Sequence, residues 1–199
     1  MHARITLVTG ATNIDAGLDF MRTDVVPQVR QQKGFQGLTV SGDRSAQVLN
    51  ILTLWQSQAD LDASESAVEK IREEAVERTG GQMTVERYEQ LLLEVKSPPA
   101  PGNKLHIREI KMSTAAIDEN VKFFKQTIVP EFINAAGFVA VRNLINRTTG
   151  VGRVGTVWTD DASLQAQLAQ TEQRRSRAAE RGVTFGEDRI AEILFIAPV

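Results

Sequence analysis

Displaced by 103 residues, the chain matches itself. Pro27 falls on Pro130, Gly34-Phe35 on Gly137-Phe138 and Trp55 on Trp158. Asp15, Phe20, Arg44, Thr53, Leu61, Glu69, Arg72, Glu89 and Leu91 also have identical partners. From Ala3 to Leu93 there are 21 identities in 91 positions without a gap, about four times what ordinary composition gives by chance. A repeat of this length means two copies of one folding unit. Between them, "KSPPAPGNK" carries three prolines and a glycine and reads as a linker. The expected organisation is a repeat over residues 1–96, a linker over 97–103 and a second repeat over 104–199.

Each repeat gives the same pattern. A strand (3–9, 105–112) leads to a helix opening near Asp15 or Asp118, either of which can cap it. Ile14, Leu18, Met21, Val25 and Val29 recur at helical spacing, and their partners Ile117, Val121, Phe124, Ile128 and Phe132 are apolar too. Two strands follow, joined as a hairpin by "SGDRSA" or "NRTTG". A second helix (59–79, 162–181) and a last strand (85–95, 188–196) complete the order β-α-β-β-α-β. The fold class expected is α+β, two tandem ferredoxin-like (βαββαβ) repeats. Residues 1–95 carry a net charge of −5 and residues 96–199 one of +3, which favours pairing of the halves.

"LVTGATNIDAGLDF" (7–20) has the outline of a dinucleotide-binding turn. Such a turn needs glycines where the pyrophosphate meets the backbone. Ile14 and Ala16 stand there instead, and Asp15 puts a carboxylate where phosphate would sit. The partner stretch "MSTAAIDEN" has no glycine. The segment is a loop between strand and helix, with no nucleotide role.

Composition narrows the function classes. The absence of cysteine excludes disulfides and thiolate chemistry and fits a reducing cytoplasm. The two histidines, His2 and His106, do not make a histidine-rich metal site. A net charge of −2 argues against nucleic acid as a partner. No apolar run approaches the roughly 18 residues of a membrane-spanning helix. The basic stretch "EQRRSRAAER" lacks interleaved aromatics and reads as a solvated helix face.

The turns Lys33-Gly34-Phe35 and Ala136-Gly137-Phe138 follow the first helix. A strand ending in tryptophan then runs through a polar turn into the second helix, as "LTLWQSQADLDA" and "GTVWTDDASLQA". With the element order, these stretches resemble the antibiotic biosynthesis monooxygenase-like family of dimeric α/β barrels, as a tandem fusion of two domains. The resemblance implies that the repeats pair within the chain into a self-contained, barrel-like pseudodimer, with further homo-oligomerisation left open. Some members oxygenate polycyclic phenols without metal or flavin, and others degrade haem with a tryptophan and a histidine in the second helix. Those two positions fall near Ser64 and Glu74, and at Gln167 and Arg177 in the second repeat. Haem degradation is not implied.

The candidate residues have two readings each. Trp55, Trp158 and Phe138 can stack a flat ligand, or pack beneath the second helix as large aromatics mostly do. Glu89 and Glu192 lie mid-strand, where a carboxylate needs a partner such as Arg87 or Arg108, or a raised pKa. His106, Arg108 and Arg142 stand in place of Ala3, Ile5 and Thr39, so the second repeat is expected to hold the more polar cavity. The enzyme reading is a cofactor-independent monooxygenase acting on a small aromatic or phenolic substrate, with no metal or flavin. His106 or Glu192 is its base, and Arg108 or Arg142 holds the anion. The alternative is a non-catalytic module that binds a small apolar ligand or serves structure alone.

Overall fold

Each repeat is organised around its strand-end tryptophan. In the computed structural model, which describes residues 1–198, Trp55 and Trp158 are wholly buried. A buried indole N–H needs an acceptor, and the repeat supplies one two residues upstream: Thr53 Oγ1 at 3.1 Å and Thr156 Oγ1 at 3.0 Å. Phe35 and Phe138 meet the indoles edge-on, with centroids 5.7 and 5.5 Å away. The preceding glycines take positive φ, +76° at Gly34 and +71° at Gly137. A Cβ there would overlap Asp60 or Ser163 at the start of the next helix. The repeated Gly-Phe, Thr and Trp are therefore one packing unit.

The elements run in the expected order. The first repeat has β1 (His2–Thr9), α1 (Ile14–Phe20), α2 (Val26–Arg30), β2 (Phe35–Asp43) and β3 (Val48–Trp55), then α3 (Gln58–Ala63), α4 (Glu65–Thr79) and β4 (Gln82–Val95). The second has β5 (Lys104–Lys111), α5 (Ile117–Phe123), α6 (Val129–Asn134), β6 (Phe138–Ile145) and β7 (Val151–Trp158), then α7 (Asp161–Leu168), α8 (Thr171–Ala179) and β8 (Thr184–Ala197). A π-helical turn precedes α2 (Met21–Val25) and α6 (Phe124–Ile128). Pro27 and Pro130 follow, and a proline removes the N–H that would continue an α-helical ladder.

The chain divides into two compact units, Met1–Arg87 with the chain from Ile193 onward, and Tyr88–Glu192. The strand order is β4-β1-β3-β2-β8 in the first and β8-β5-β7-β6-β4 in the second. The four strands of each repeat keep the ferredoxin-like order, 4-1-3-2, and the long last strands, β4 and β8, each contribute to both units. The α+β class and the two βαββαβ repeats are as the sequence predicts.

Two expectations need correction. Asp15 and Asp118 are not caps: α1 is capped by Asn13, whose side chain accepts from the Ala16 N–H at 3.5 Å, and α5 follows a 3₁₀ turn without a side-chain cap. Their repetition has another cause, because Asp15 pairs with Arg44 at 2.7 Å and Asp118 with Arg147 at 3.0 Å. The second correction concerns register. Arg4 lies opposite Thr53, and His106 lies opposite Thr156. Since Thr53 and Thr156 are equivalent, His106 replaces Arg4 and Arg108 replaces Thr6, not Ala3 and Ile5. The first strands are displaced by 102 residues, and one extra residue after β5 restores 103 at Ile14 and Ile117. The sequence carries the mark of this slip, because at 103 there is no identity from residue 3 to residue 13.

Gly137→Ala is expected to be more costly than Gly102→Ala. Both have positive φ, +71° and +91°, worth about 1–2 kcal/mol with a Cβ. Only Gly137 faces a neighbour; nothing lies near the Cβ position of Gly102. Overlap with Ser163 adds about 1–3 kcal/mol. Urea unfolding giving equal losses would contradict this account.

Candidate functional site

Between sheet and helices of the second unit lies a cavity of about 110 Å³. Alternate residues of a strand share a face, so β5 lays His106, Arg108 and Ile110 along its floor, and β7 adds Val154, Thr156 and Trp158. Phe123 of α5, Phe124 and Ile128 of the π-turn and Phe132 of α6 come over it. Gln167 on α7 and Arg174 and Arg175 on α8 form another wall, and Phe185 of β8 closes the rim. The lining is mainly aromatic and aliphatic, with no carboxylate among its residues.

The ionisable centre of the floor is shared by three side chains. Arg108 is bidentate to Asp188, Nε to Oδ1 at 2.6 Å and Nη2 to Oδ2 at 2.7 Å, the geometry a guanidinium favours with a carboxylate. His106 Nε2 lies 3.1 Å from Asp188 Oδ1. Burial pushes the Asp188 carboxyl up, but the hydrogen bonds and charge of Arg108, together with His106, hold the group below the usual carboxylate range. An ionised carboxylate only accepts, so Nε2 carries the proton and the ring's lone pair is on Nδ1. Burial, then the charge of Arg108, lowers the His106 pKa despite Asp188. His106 is thus a neutral imidazole at pH 7, oriented by an aspartate. Asp188 escapes a sequence reading because its role depends on β5 and β8 pairing in the register that sets it opposite Arg108.

Other lining groups are committed elsewhere or are unpaired. Arg174 donates to Glu131 at 3.0 Å and lies over the Phe132 ring at 4.8 Å from its centroid. Arg175 lies over Phe185, 5.1 Å from the ring centroid. Asn120 and Gln167 are buried, and their carbonyl oxygens accept no hydrogen bond.

Of the residues singled out in the sequence, the cavity brings together His106, Arg108 and Trp158. Phe138 backs the Trp158 ring without lining the space. Glu192 lies opposite Lys104 and takes its ammonium at 2.8 Å; Glu89 pairs with Arg147 at 2.6 Å. Arg142 is on the other face of β6 from Val141, which packs against the Trp158 cluster. Its Nε has no hydrogen-bond partner, and burial pulls its pKa down to about 10. Trp55 lines neither cavity. Among the described residues no three His, Asp or Glu side chains gather to hold a metal ion, and no helix is long and apolar enough to cross a membrane.

The first unit has a smaller cavity, about 50 Å³, in the equivalent place, with Arg4, Thr6, Leu38 and Arg72 among its lining. Here the cations meet a carboxylate of the same unit. Glu65 accepts from Arg4 at 2.7 Å, Arg72 at 2.6 Å and Arg87 at 2.8 Å. Burial pushes the Glu65 carboxyl up, but the hydrogen bonds from Arg72 and Arg87 and the charge of Arg4 take it down to about 2.

No protein-family model matches the chain. Two uncharacterised proteins of Mycobacterium tuberculosis are similar in sequence. One is 24% identical over 151 residues, covering 75% of this chain and 67% of its own length. The other is 22% identical over 147 residues, covering 73% and 62%. Among solved structures, an anthrone oxidase-like protein superimposes with a TM-score of 0.71 at 13% identity, over 99% of this chain and 92% of that one. A candidate monooxygenase of Lactobacillus acidophilus does so at 0.70 and 8% identity, over 99% and 95%. A ferredoxin-fold protein of Listeria monocytogenes related to antibiotic biosynthesis monooxygenases gives 0.52 at 11% identity, over 97% and 95%. The chain has the fold of these proteins, as its Gly-Phe and Trp motifs predict.

The Glu65 cluster gives the first unit an acid-sensitive element. A carboxyl whose folded pKa is about 2, against 4.5, contributes stability that is present above pH 4.5 and lost as pH falls through 2. Glu65→Gln should cost about 2–3 kcal/mol at pH 7, the order of a broken buried pair discounted for partial exposure. Thermal unfolding from pH 7 to pH 2 should show that deficit holding constant down to about pH 4.5 and shrinking from there towards pH 2. A deficit independent of pH would rule out the ionic account.

Proposed function

We propose that the second unit is a cofactor-independent oxygenase of a small aromatic substrate with an ionisable hydroxyl, bound in the cavity over His106. The observation that carries this reading is one neutral imidazole, oriented by Asp188, in a cavity lined mainly by aromatic and aliphatic side chains. The known fold neighbours support the reaction class as an analogy only.

In this reading the ring lies among Phe123, Phe132 and Trp158, and Nδ1 of His106 takes the hydroxyl proton. Exclusion of water makes the aryloxide a stronger reductant than it is in solution, and dioxygen is the oxidant. One oxygen atom enters the ring system as a carbonyl; the other leaves as water, with the hydroxyl proton that His106 took and the one hydrogen lost from that carbon. Arg108 supplies positive charge beside the anion, and Thr156 a hydroxyl donor. Proton transfer by a positioned imidazole contributes about 10²–10⁴-fold.

Oxygen uptake with anthrone and with 1-naphthol tests the reading. His106→Gln should lower kcat/KM by at least 10²-fold, and Asp188→Asn by less, because the imidazole remains but its orientation weakens. The wild-type rate should rise to a plateau through a pKa below 6.5, as His106 must be neutral. Unchanged uptake in His106→Gln would end the proposal.

A further inference from the structure

We infer that the second cavity is built for an aromatic acid, whose carboxylate takes at Arg175 the place that Glu65 holds at Arg72 in the first unit. This rests on the cavity being a ligand site, as argued above, and adds the chemistry of the ligand.

The argument is a comparison of the molecule with itself. Arg72 and Arg175 are repeat partners in a stretch without a gap, between the identical pairs Glu69/Glu172 and Ala75/Ala178. Both line the cavity of their unit. Arg72 is neutralised by Glu65 from two helical turns away, at 2.6 Å. The partner of Glu65 is Leu168, so the second repeat has kept the cation and lost its carboxylate.

Nothing replaces it. Arg108 is committed to Asp188 at both ends of its fork, and Arg174 is bound to Glu131. Arg175 makes no ion pair among the described residues; it rests on the face of Phe185. An arginine so placed at an aromatic cavity matches an external carboxylate in shape and charge. The surrounding rings, Phe123, Phe132, Trp158 and Phe185, select a flat apolar body. The first unit needs no such ligand, because it carries its own carboxylate.

Calorimetric titration of 1-naphthoate and 1-naphthol into the full chain at pH 7.5 and low salt tests this. Naphthoate should bind at least tenfold more tightly than naphthol. That preference should vanish in Arg175→Gln, and in Leu168→Glu, where a tethered carboxylate reproduces Glu65. Leu168→Gln, of the same shape without charge, should keep it, which separates charge from disturbed packing. Equal affinity for the two compounds, or a preference surviving Arg175→Gln or Leu168→Glu, overturns the inference and leaves the cavity's assignment intact. Binding of neither compound overturns both.

Discussion

A strand has a period of two, so moving it by one residue exchanges its faces. The rest of this structure depends on that constraint. In β1 and β5 the side chains at even numbers turn to the helices, and they decide what each unit holds. Arg4 and Thr6 furnish one cavity, His106 and Arg108 the other. The extra residue before α5 is what allows both strands to present a basic group on the same face while the helices stay in repeat register.

The two units therefore share a frame and differ in what fills it. The frame is the buried tryptophan held by a threonine hydroxyl, with a phenylalanine on its edge and a glycine that lets the chain turn. None of these groups is ionisable, and they recur with nearly the same geometry. The differences lie in charged and polar positions: Arg4 against His106, Thr6 against Arg108, Glu65 against Leu168. Duplication has left one copy internally neutralised and the other open.

Much of this is legible in the sequence because it is local. Helical spacing, the Gly-Phe turns, the Trp at a strand end and the element order all survive inspection of one segment at a time. The cavity is legible only in part. His106, Arg108 and Trp158 stand out as polar or aromatic residues on the right strands. Asp188 does not, since it joins them only through the pairing of β5 with β8, some 80 residues apart. Asn120 and Gln167 look like ordinary helix residues, and only the burial of their unpaired side-chain carbonyl oxygens marks them. Arg142 and Glu192 attract notice by charge, but the parity of β6 and the Lys104 ammonium place them elsewhere. The gapless alignment records the loop insertion only as a run without identities before Ile14, too short to stand out against the matches that follow.

The long last strands have a consequence for synthesis. Strand β2 needs β8 beside it, and the part of β8 in the first unit begins only at Ile193. As the chain emerges, β2 is available within the first 43 residues, and its neighbour arrives about 150 residues later. At a translation rate of about 5–20 residues per second, that edge waits on the order of ten seconds or more with unpaired N–H and C=O groups, the kind of template that invites wrong pairing. Gly37 and Gly42 lie in β2, and Asp43 ends it, residues with low strand propensity. They weaken this strand as an early partner for anything but its own late-arriving neighbour.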